Sequence, residues 1–198
     1  MKGSLKLVGD RHFLTERQRL AVSRAACTDK QKERRSARRM AVESIAGESL
    51  IIDGFNLVIT LEAALGGGLL MLCRDGCIRD LSSVHGSYRA VLETGSALNL
   101  IGEVLAALSP KEVLWLLDSP ISNSGRLAQR IRELASQSKW PWGVEVVFNP
   151  DAEIIISDSI AVTSDSTILD RAKRWINLNQ YLLQKYLPRA WMIDLQAE

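Results

Sequence analysis

Three stretches of this chain share a pattern that could do chemistry. Leu50-Ile51-Ile52-Asp53-Gly54, Leu114-Trp115-Leu116-Leu117-Asp118-Ser119 and Ile160-Ala161-Val162-Thr163-Ser164-Asp165-Ser166 each run apolar and then present an Asp at or just past the end of the run. If the three runs are neighbouring parallel strands, their acids share the carboxyl edge of the sheet, where open α/β sheets bind ligands. Two carboxylates about 4 Å apart repel by roughly 4 kcal/mol at an effective dielectric near 20. Three such pairs cost on the order of 10 kcal/mol unless a proton or a cation intervenes. Oxygen donors without thiolate or imidazole select hard cations, Mg²⁺ or Mn²⁺. Such an ion can activate water and offset charge in a phosphodiester displacement. The plainer role for each Asp is a cap on the helix that follows.

Other polar groups lie near these acids in the chain. Ser122-Asn123-Ser124-Gly125-Arg126 follows Asp118. Hydroxyls, backbone N–H groups at a helix start and a guanidinium fork suit a phosphate; ordinary capping is the alternative. His85, Tyr88 and Arg89 form a second polar cluster, in which His85 could assist proton transfer or serve structure. Asp75 and Asp80 flank a turn and read as solvated, with approach to the metal the alternative. Trp140 and Trp142 read as packing against the sheet edge rather than stacking on bases.

The elements that must position these residues can be read from pattern and punctuation. Residues 15–44 have helical composition, opened by a capping box at Thr15 and Gln18 and divisible near Thr28 or Asp29. Beyond a joint at 47–49 the expected order is strand 49–53, helix 56–65 closed by Gly66-Gly67-Gly68, strand 69–73, a turn at Asp75-Gly76, and helix 89–108 stopped by Pro110. Strand 112–117, helix 124–138, strand 144–148, strand 160–163, helix 167–187 and strand 190–195 follow. Alternation of strands with helices implies βαβ units and a mainly parallel sheet. Unbroken apolar strands at 50–52 and 113–117 imply cover on both faces. The expected class is α/β, a mainly parallel sheet flanked by helices, with a small basic helical segment over 1–48 and the α/β domain over 49–198.

Bulk numbers narrow the field. A chain of 198 residues, 46% hydrophobic and 24% charged, is an ordinary globular composition. The first 49 residues hold 12 Lys+Arg against 6 Asp+Glu, and the rest 13 against 17, so the basic excess is confined to the N-terminal quarter. Its densest part is Lys30, Lys32, Arg34, Arg35, Arg38 and Arg39, which reads either as a solvated helix face or as a phosphate-backbone contact. Cys27, Cys73 and Cys77 do not make a disulfide framework, and C-x3-C without a second pair is weak for zinc. With no signal-like start and no apolar run of about 18 residues, the reading is a cytoplasmic protein with no membrane span.

Ile51-Ile52-Asp53-Gly54-Phe55-Asn56-Leu57 resembles the opening of the PIN and NYN nuclease superfamily, whose first strand ends in a metal-binding Asp followed by Gly-aromatic-Asn. Val162-Thr163-Ser164-Asp165-Ser166 resembles its late strand, and Asp118 matches its middle acidic position. The likeness covers about residues 49–170. The whole chain also resembles an archaeal and bacterial family that joins a basic helical domain of unknown function to a PIN-like domain, through 8–14, 15–24, 85–89 and 118–126. Members of that family usually carry more sequence ahead of the Val8-Gly9-Asp10 stretch. The resemblance implies metal-dependent RNA cleavage with Asp53, Asp118 and Asp165 as ligands. It also implies a fourth acid before the last of these strands, for which Asp151 is the choice over Asp158 and Glu153. The helix expected there is compressed to 152–157, too short and β-branched to form well. Asn56 would orient Asp53 through its amide or cap the next helix. A homodimer is expected by analogy alone.

The leading expectation is a Mg²⁺- or Mn²⁺-dependent ribonuclease. In it Ser122, Asn123, Ser124 and Arg126, with His85 and Arg89, contact the substrate, and the basic helices hold RNA. The alternatives are a non-catalytic RNA- or ribosome-binding module and a metal-dependent phosphatase. The last lacks an Asp-x-Asp after the first strand and a phosphate-binding Gly-x-x-x-x-Gly-Lys-Ser/Thr loop.

Overall fold

The computed structural model describes residues 2–82 and 88–196. Its centre is a six-stranded, wholly parallel sheet built from β1 (Arg39–Met40), β2 (Ser49–Asp53), β5 (Glu112–Asp118), β6 (Trp142–Val147), β7 (Ile160–Val162) and β8 (Trp175–Ile176). Their order is β1-β8-β7-β2-β5-β6. A smaller sheet, ordered β4-β3-β9, joins the antiparallel pair β3 (Leu70–Leu72) and β4 (Ile78–Asp80) to β9 (Met192–Asp194), which runs parallel to β3. The protein is therefore α/β, as its alternating pattern requires.

Both faces of the large sheet are covered, which explains the unbroken apolar strands. Leu50, Ile52, Trp115, Leu117 and Val162 enter the larger core with residues of α4 (Gly54–Leu65), α5 (Glu93–Leu108), α6 (Ser124–Ser138) and α9 (Leu178–Tyr186). The alternate residues Ile51, Leu116, Ala161 and Trp175 meet Ile154 of α7 (Pro150–Ile156) and Ile168 and Leu169 of α8 (Ser166–Leu169) on the other face. The chain leaves β2 toward β5 and β6, then crosses back to lay β7 on the opposite side of β2. That reversal is a topological switch point, and it opens a crevice at the carboxyl ends of β2 and β7.

The N-terminal quarter forms α1 (Lys2–Arg11), α2 (Glu16–Ala25) and α3 (Asp29–Arg38). The expected capping box at Thr15 and Gln18 is present, and a second at Thr28 and Gln31 restarts the helix where a break was expected. The basic cluster is divided between residues bonded to the domain and residues left exposed. Arg35 is buried and bonds Asp75 and Asp170, Arg34 pairs with Asp170, and Arg38 donates to the carbonyls of Asp170 and Ala172. Arg39 donates to Gln180 and lies over the Trp175 ring. Arg34, Arg35 and Arg38 hold the helix to the domain, while Arg39, at the start of β1, is exposed. Lys30 and Lys32 remain exposed.

Asp75 is a correction, since its side chain is 1% exposed rather than solvated. Burial alone would raise its pKa, but bonds from Arg79 and Arg35 outweigh burial and hold it below the usual carboxylate range. Asp80 is likewise buried, accepting from Thr60 and from the Ser82 amide. Two elements were missed because they are too short for a pattern, β1 and β4. The long helix expected over 167–187 is split, because Trp175 and Ile176 are drawn into the sheet and Asn177 caps a fresh start at Leu178 by accepting from the Gln180 amide. The helix before β7, expected to form poorly over 152–157, is well formed over Pro150–Ile156. Asn149 caps Ala152, Pro150 sits at its first position and Ile154 is buried.

Removing one member of a buried ion pair leaves the other uncompensated, at a cost of about 3–5 kcal/mol. Arg35→Ala is expected to lose stability on that scale in urea unfolding, whereas Lys32→Ala stays within about 0.5 kcal/mol of wild type. Equal stability of the two variants would show that α3 is not held through Arg35.

Candidate functional site

Four adjacent strands, β7, β2, β5 and β6, run parallel, and an Asp follows or ends each one. Asp53 ends β2, Asp118 ends β5, Asp151 lies in the first turn of α7 after β6, and Asp165 precedes α8 after β7. The register pairs Ile52 with Val162, so the next residues along, Asp53 and Thr163, meet across the strands. The Thr163 hydroxyl donates to Asp53 Oδ2 at 2.8 Å. Asp53, Asp151 and Asp165 line one cleft of about 290 Å³, together with Asn56, Ser164 and Phe55. Ser23 and Arg24 of α2 form part of its wall, so the N-terminal segment contributes to the site.

Asp53 is 8% exposed and does not cap α4. Burial pushes its carboxyl up to about 7, against the lowering bond from Thr163, and the charges of Asp165, Asp151 and Asp118 push it further. Burial also raises Asp118 and Asp151; Asp165 and Asp118 add to the second. Arg24 and Arg79 line the cleft but are engaged elsewhere. Arg79 grips Asp75 and donates to the Ser164 carbonyl, and Arg24 donates to the carbonyls of Asp80 and Ser82. Among the described residues no cationic side chain bonds any of the four acids.

The remaining expected residues take varied places. Asp165 is a cap, accepting from the amides of Thr167 and Ile168, and this leaves its second oxygen without a described partner. Asn56 neither orients Asp53 nor caps α4; its Oδ1 accepts from the amide and hydroxyl of Ser164 and so fixes the loop between Thr163 and Asp165. Of the three acids weighed for the fourth position, Asp158 is 93% exposed in its side chain and pairs with Lys173, Glu153 is exposed, and Asp151 faces the cleft. Ser124 is buried. Asn123 has a left-handed backbone and makes no cap; its amide donates to the Tyr88 carbonyl at 2.8 Å, while the Tyr88 amide donates to the Ser122 carbonyl at 3.1 Å. Ser122, Arg126 and Arg89 are exposed. His85 lies outside the described residues. Trp140 stacks on Trp142, which stacks on Trp115, at the opposite end of the sheet from the acids. The roles of Thr163 and Arg24 were not anticipated. The first was readable from its position beside a strand-end Asp, but the second depends on how α2 docks.

The donor chemistry fits a hard divalent cation, in that four carboxylates, one buried, form no ion pair with a described side chain, Arg24 and Arg79 being engaged elsewhere. The spacing falls short: among the described residues no three or more His, Cys, Asp or Glu side chains stand close enough together to hold a metal ion.

Fold and site together define a parallel α/β domain with an acidic cleft at its switch point. The chain belongs to the family of the domain of unknown function DUF5616, whose profile matches residues 42–181. Residues 1–38 match the profile described as a protein of unknown function, DUF434. The chain is similar to the uncharacterised protein MJ0935 of Methanocaldococcus jannaschii, 32% identical over 166 residues, covering 84% of this chain and 79% of that protein. No solved structure matches the chain.

Asp53 gives a pH signature in metal-free protein. The folded state holds its proton up to about pH 7, whereas the unfolded chain releases it near the ordinary value of 3.8. Between these values folding takes up a proton, so stability falls as pH rises through the window, by up to ~4 kcal/mol. Asn can still accept from Thr163 but carries no charge. Asp53→Asn is expected to be more stable than wild type at pH 8 in EDTA, with the gap closing near pH 4, by urea unfolding. A constant gap across that range would contradict the assignment.

Proposed function

We propose that the protein is a Mg²⁺- or Mn²⁺-dependent ribonuclease of PIN-like type, with Asp53, Asp118, Asp151 and Asp165 drawing together on a cation. One observation carries the reading: a buried Asp53 at the switch point shares its cleft with Asp151 and Asp165, with the charge of Asp118 also acting on it, and none of the four pairs with a described positive side chain. The motif likeness around 51–57 and 162–166 directs it to RNA. When bound, the cation would lower the pKa of a water and offset charge on the phosphodiester.

The chain's own groups set the scene for that chemistry. Thr163 holds Asp53 Oδ2 and, through the same oxygen, accepts from the Asp165 amide, which ties the two acids into one frame. Asn56 locks Ser164 between them. Such supporting contacts hold reacting groups to within fractions of an ångström. Ser122 and Arg126 are free to meet a phosphate, while Asn123 and Ser124 are committed to structure.

A second reading is an RNA- or ribosome-binding module without catalysis. It is favoured by the cap bonds that engage Asp165 and by the spacing of the acids. Cleavage of a labelled single-stranded RNA in Mn²⁺ separates the two. The nuclease reading expects turnover in wild type, abolished by EDTA and reduced at least ~100-fold by Asp53→Asn, on the scale of losing an electrostatic catalytic group. Equal rates in the two proteins would refute it. RNA binding that survives Asp165→Ala, with no cleavage by wild type, would establish the second reading.

A further inference from the structure

Beside the acidic cleft, and sharing no lining residue with it, lies a groove of about 520 Å³ bounded by Tyr88, Arg89, Asn123, Arg126, Leu127 and Arg130. Arg126 and Arg130 are one helical turn apart on α6, and so share a face; Arg89 comes from the opposite wall. All three are exposed, and among the described residues none pairs with a carboxylate. This contrasts with α3, whose arginines bond carboxylates or carbonyls of the domain.

The groove is also rigidly framed. Its two walls are joined by the paired bonds between Tyr88 and the 122–123 segment. The Tyr88 hydroxyl donates to buried Glu62 of α4 at 2.5 Å, and the Thr94 hydroxyl donates to the same carboxylate oxygen. Phe55 packs against the Tyr88 ring at 5.2 Å. Arg130 reaches over the start of α5, where a Cβ on Gly95 would stand 2.8 Å from its guanidinium. Walls set in advance lower the ordering cost of binding.

We infer that the Arg89–Arg126–Arg130 groove seats backbone phosphates of single-stranded nucleic acid away from the bond to be cut. The inference deepens the nuclease reading by naming its strand-binding subsite. Guanidinium forks match phosphate oxygens bidentately. A groove of this volume falls in the range of sites that hold a ligand of a few nucleotides' size. Six residue steps from Asp118 to Ser124 keep the start of the groove's α6 wall within ~22 Å of that acid. A polyanion laid across this edge meets negative charge at the cleft and positive charge here, which fixes which part of it each end accepts.

The test is fluorescence anisotropy of a labelled uridine 12-mer with the full chain in EDTA at pH 7.5, where neither metal nor cleavage enters. Wild type is expected to bind, and Arg126→Ala/Arg130→Ala to bind at least tenfold more weakly. The slope of log affinity against log salt is expected to fall by ~1.4, since each lost phosphate contact on a single strand removes about 0.7. Arg89→Ala, on the other wall, is expected to weaken binding as well, and the exposure of all three leaves the fold intact by circular dichroism. Unchanged affinity and slope in the double variant would overturn the inference, as would displacement of the RNA by polyglutamate of equal charge as readily as by unlabelled 12-mer. Cleavage by wild type in Mn²⁺ alongside unchanged EDTA binding in the variant refutes the groove and leaves the nuclease reading standing. Groove-dependent binding without cleavage does the reverse.

Discussion

A carboxylate removed from water must lose its charge or find a positive partner. Asp53 is buried at the one place where the sheet reverses its winding, with Asp118, Asp151 and Asp165 as its electrostatic neighbours. The arrangement around it does not supply a cation from the protein. Arg79, the arginine closest to the task, is bound by Asp75 and by the Ser164 carbonyl, and Arg24 is bound by carbonyls of the β4 segment. What the protein does supply is a single hydroxyl, that of Thr163, which orients Asp53 without neutralising it. The cleft is thus an acidic one by construction rather than by crowding at the surface.

The buried ion network explains how the N-terminal segment is held beside that cleft, to which α2 contributes Ser23 and Arg24. Arg35 of α3, Asp75, Arg79 and the Ser164 carbonyl form a continuous chain of bonds from the helical segment to the loop that carries Asp165. Asp170, held well below the usual carboxylate range because bonds from Arg35, Arg34 and Gln31 outweigh its burial, joins α3 to the end of the same short helix that Asp165 caps. The segments matched by two separate family profiles are therefore one mechanical unit around the site.

Much of this was legible before any coordinates. The three strand-end acids announced an edge because the same ending recurs on three apolar runs, although Asp165 also serves as the cap that is the plainer role of such an Asp, and the unbroken runs announced a sheet covered on both faces. The misreadings share a physical cause: they concern features set by tertiary contact. Nothing local shows that Arg34, Arg35, Arg38 and Arg39 meet carboxylates, carbonyls and a glutamine from distant residues, so the cluster looked like a surface. Trp175 and Ile176 sit in a helical context but are taken into the sheet between β1 and β7, where the Trp175 indole donates to the Arg35 carbonyl. Residues 150–156 form a helix on the strength of a cap, a proline and one buried Ile, against weak propensity. Asn56 lies in the expected motif but grips Ser164 across 108 positions of sequence, a pairing no spacing reveals.

The proposed gathering of these acids on a divalent cation is tested by anomalous scattering from crystals soaked in Mn²⁺. A peak is expected in direct contact with Asp53 and with at least two of Asp118, Asp151 and Asp165, their side chains turned inward to reach it. Saturating Mn²⁺ with no peak in this cleft, or with one elsewhere and the four acids unmoved, would contradict it.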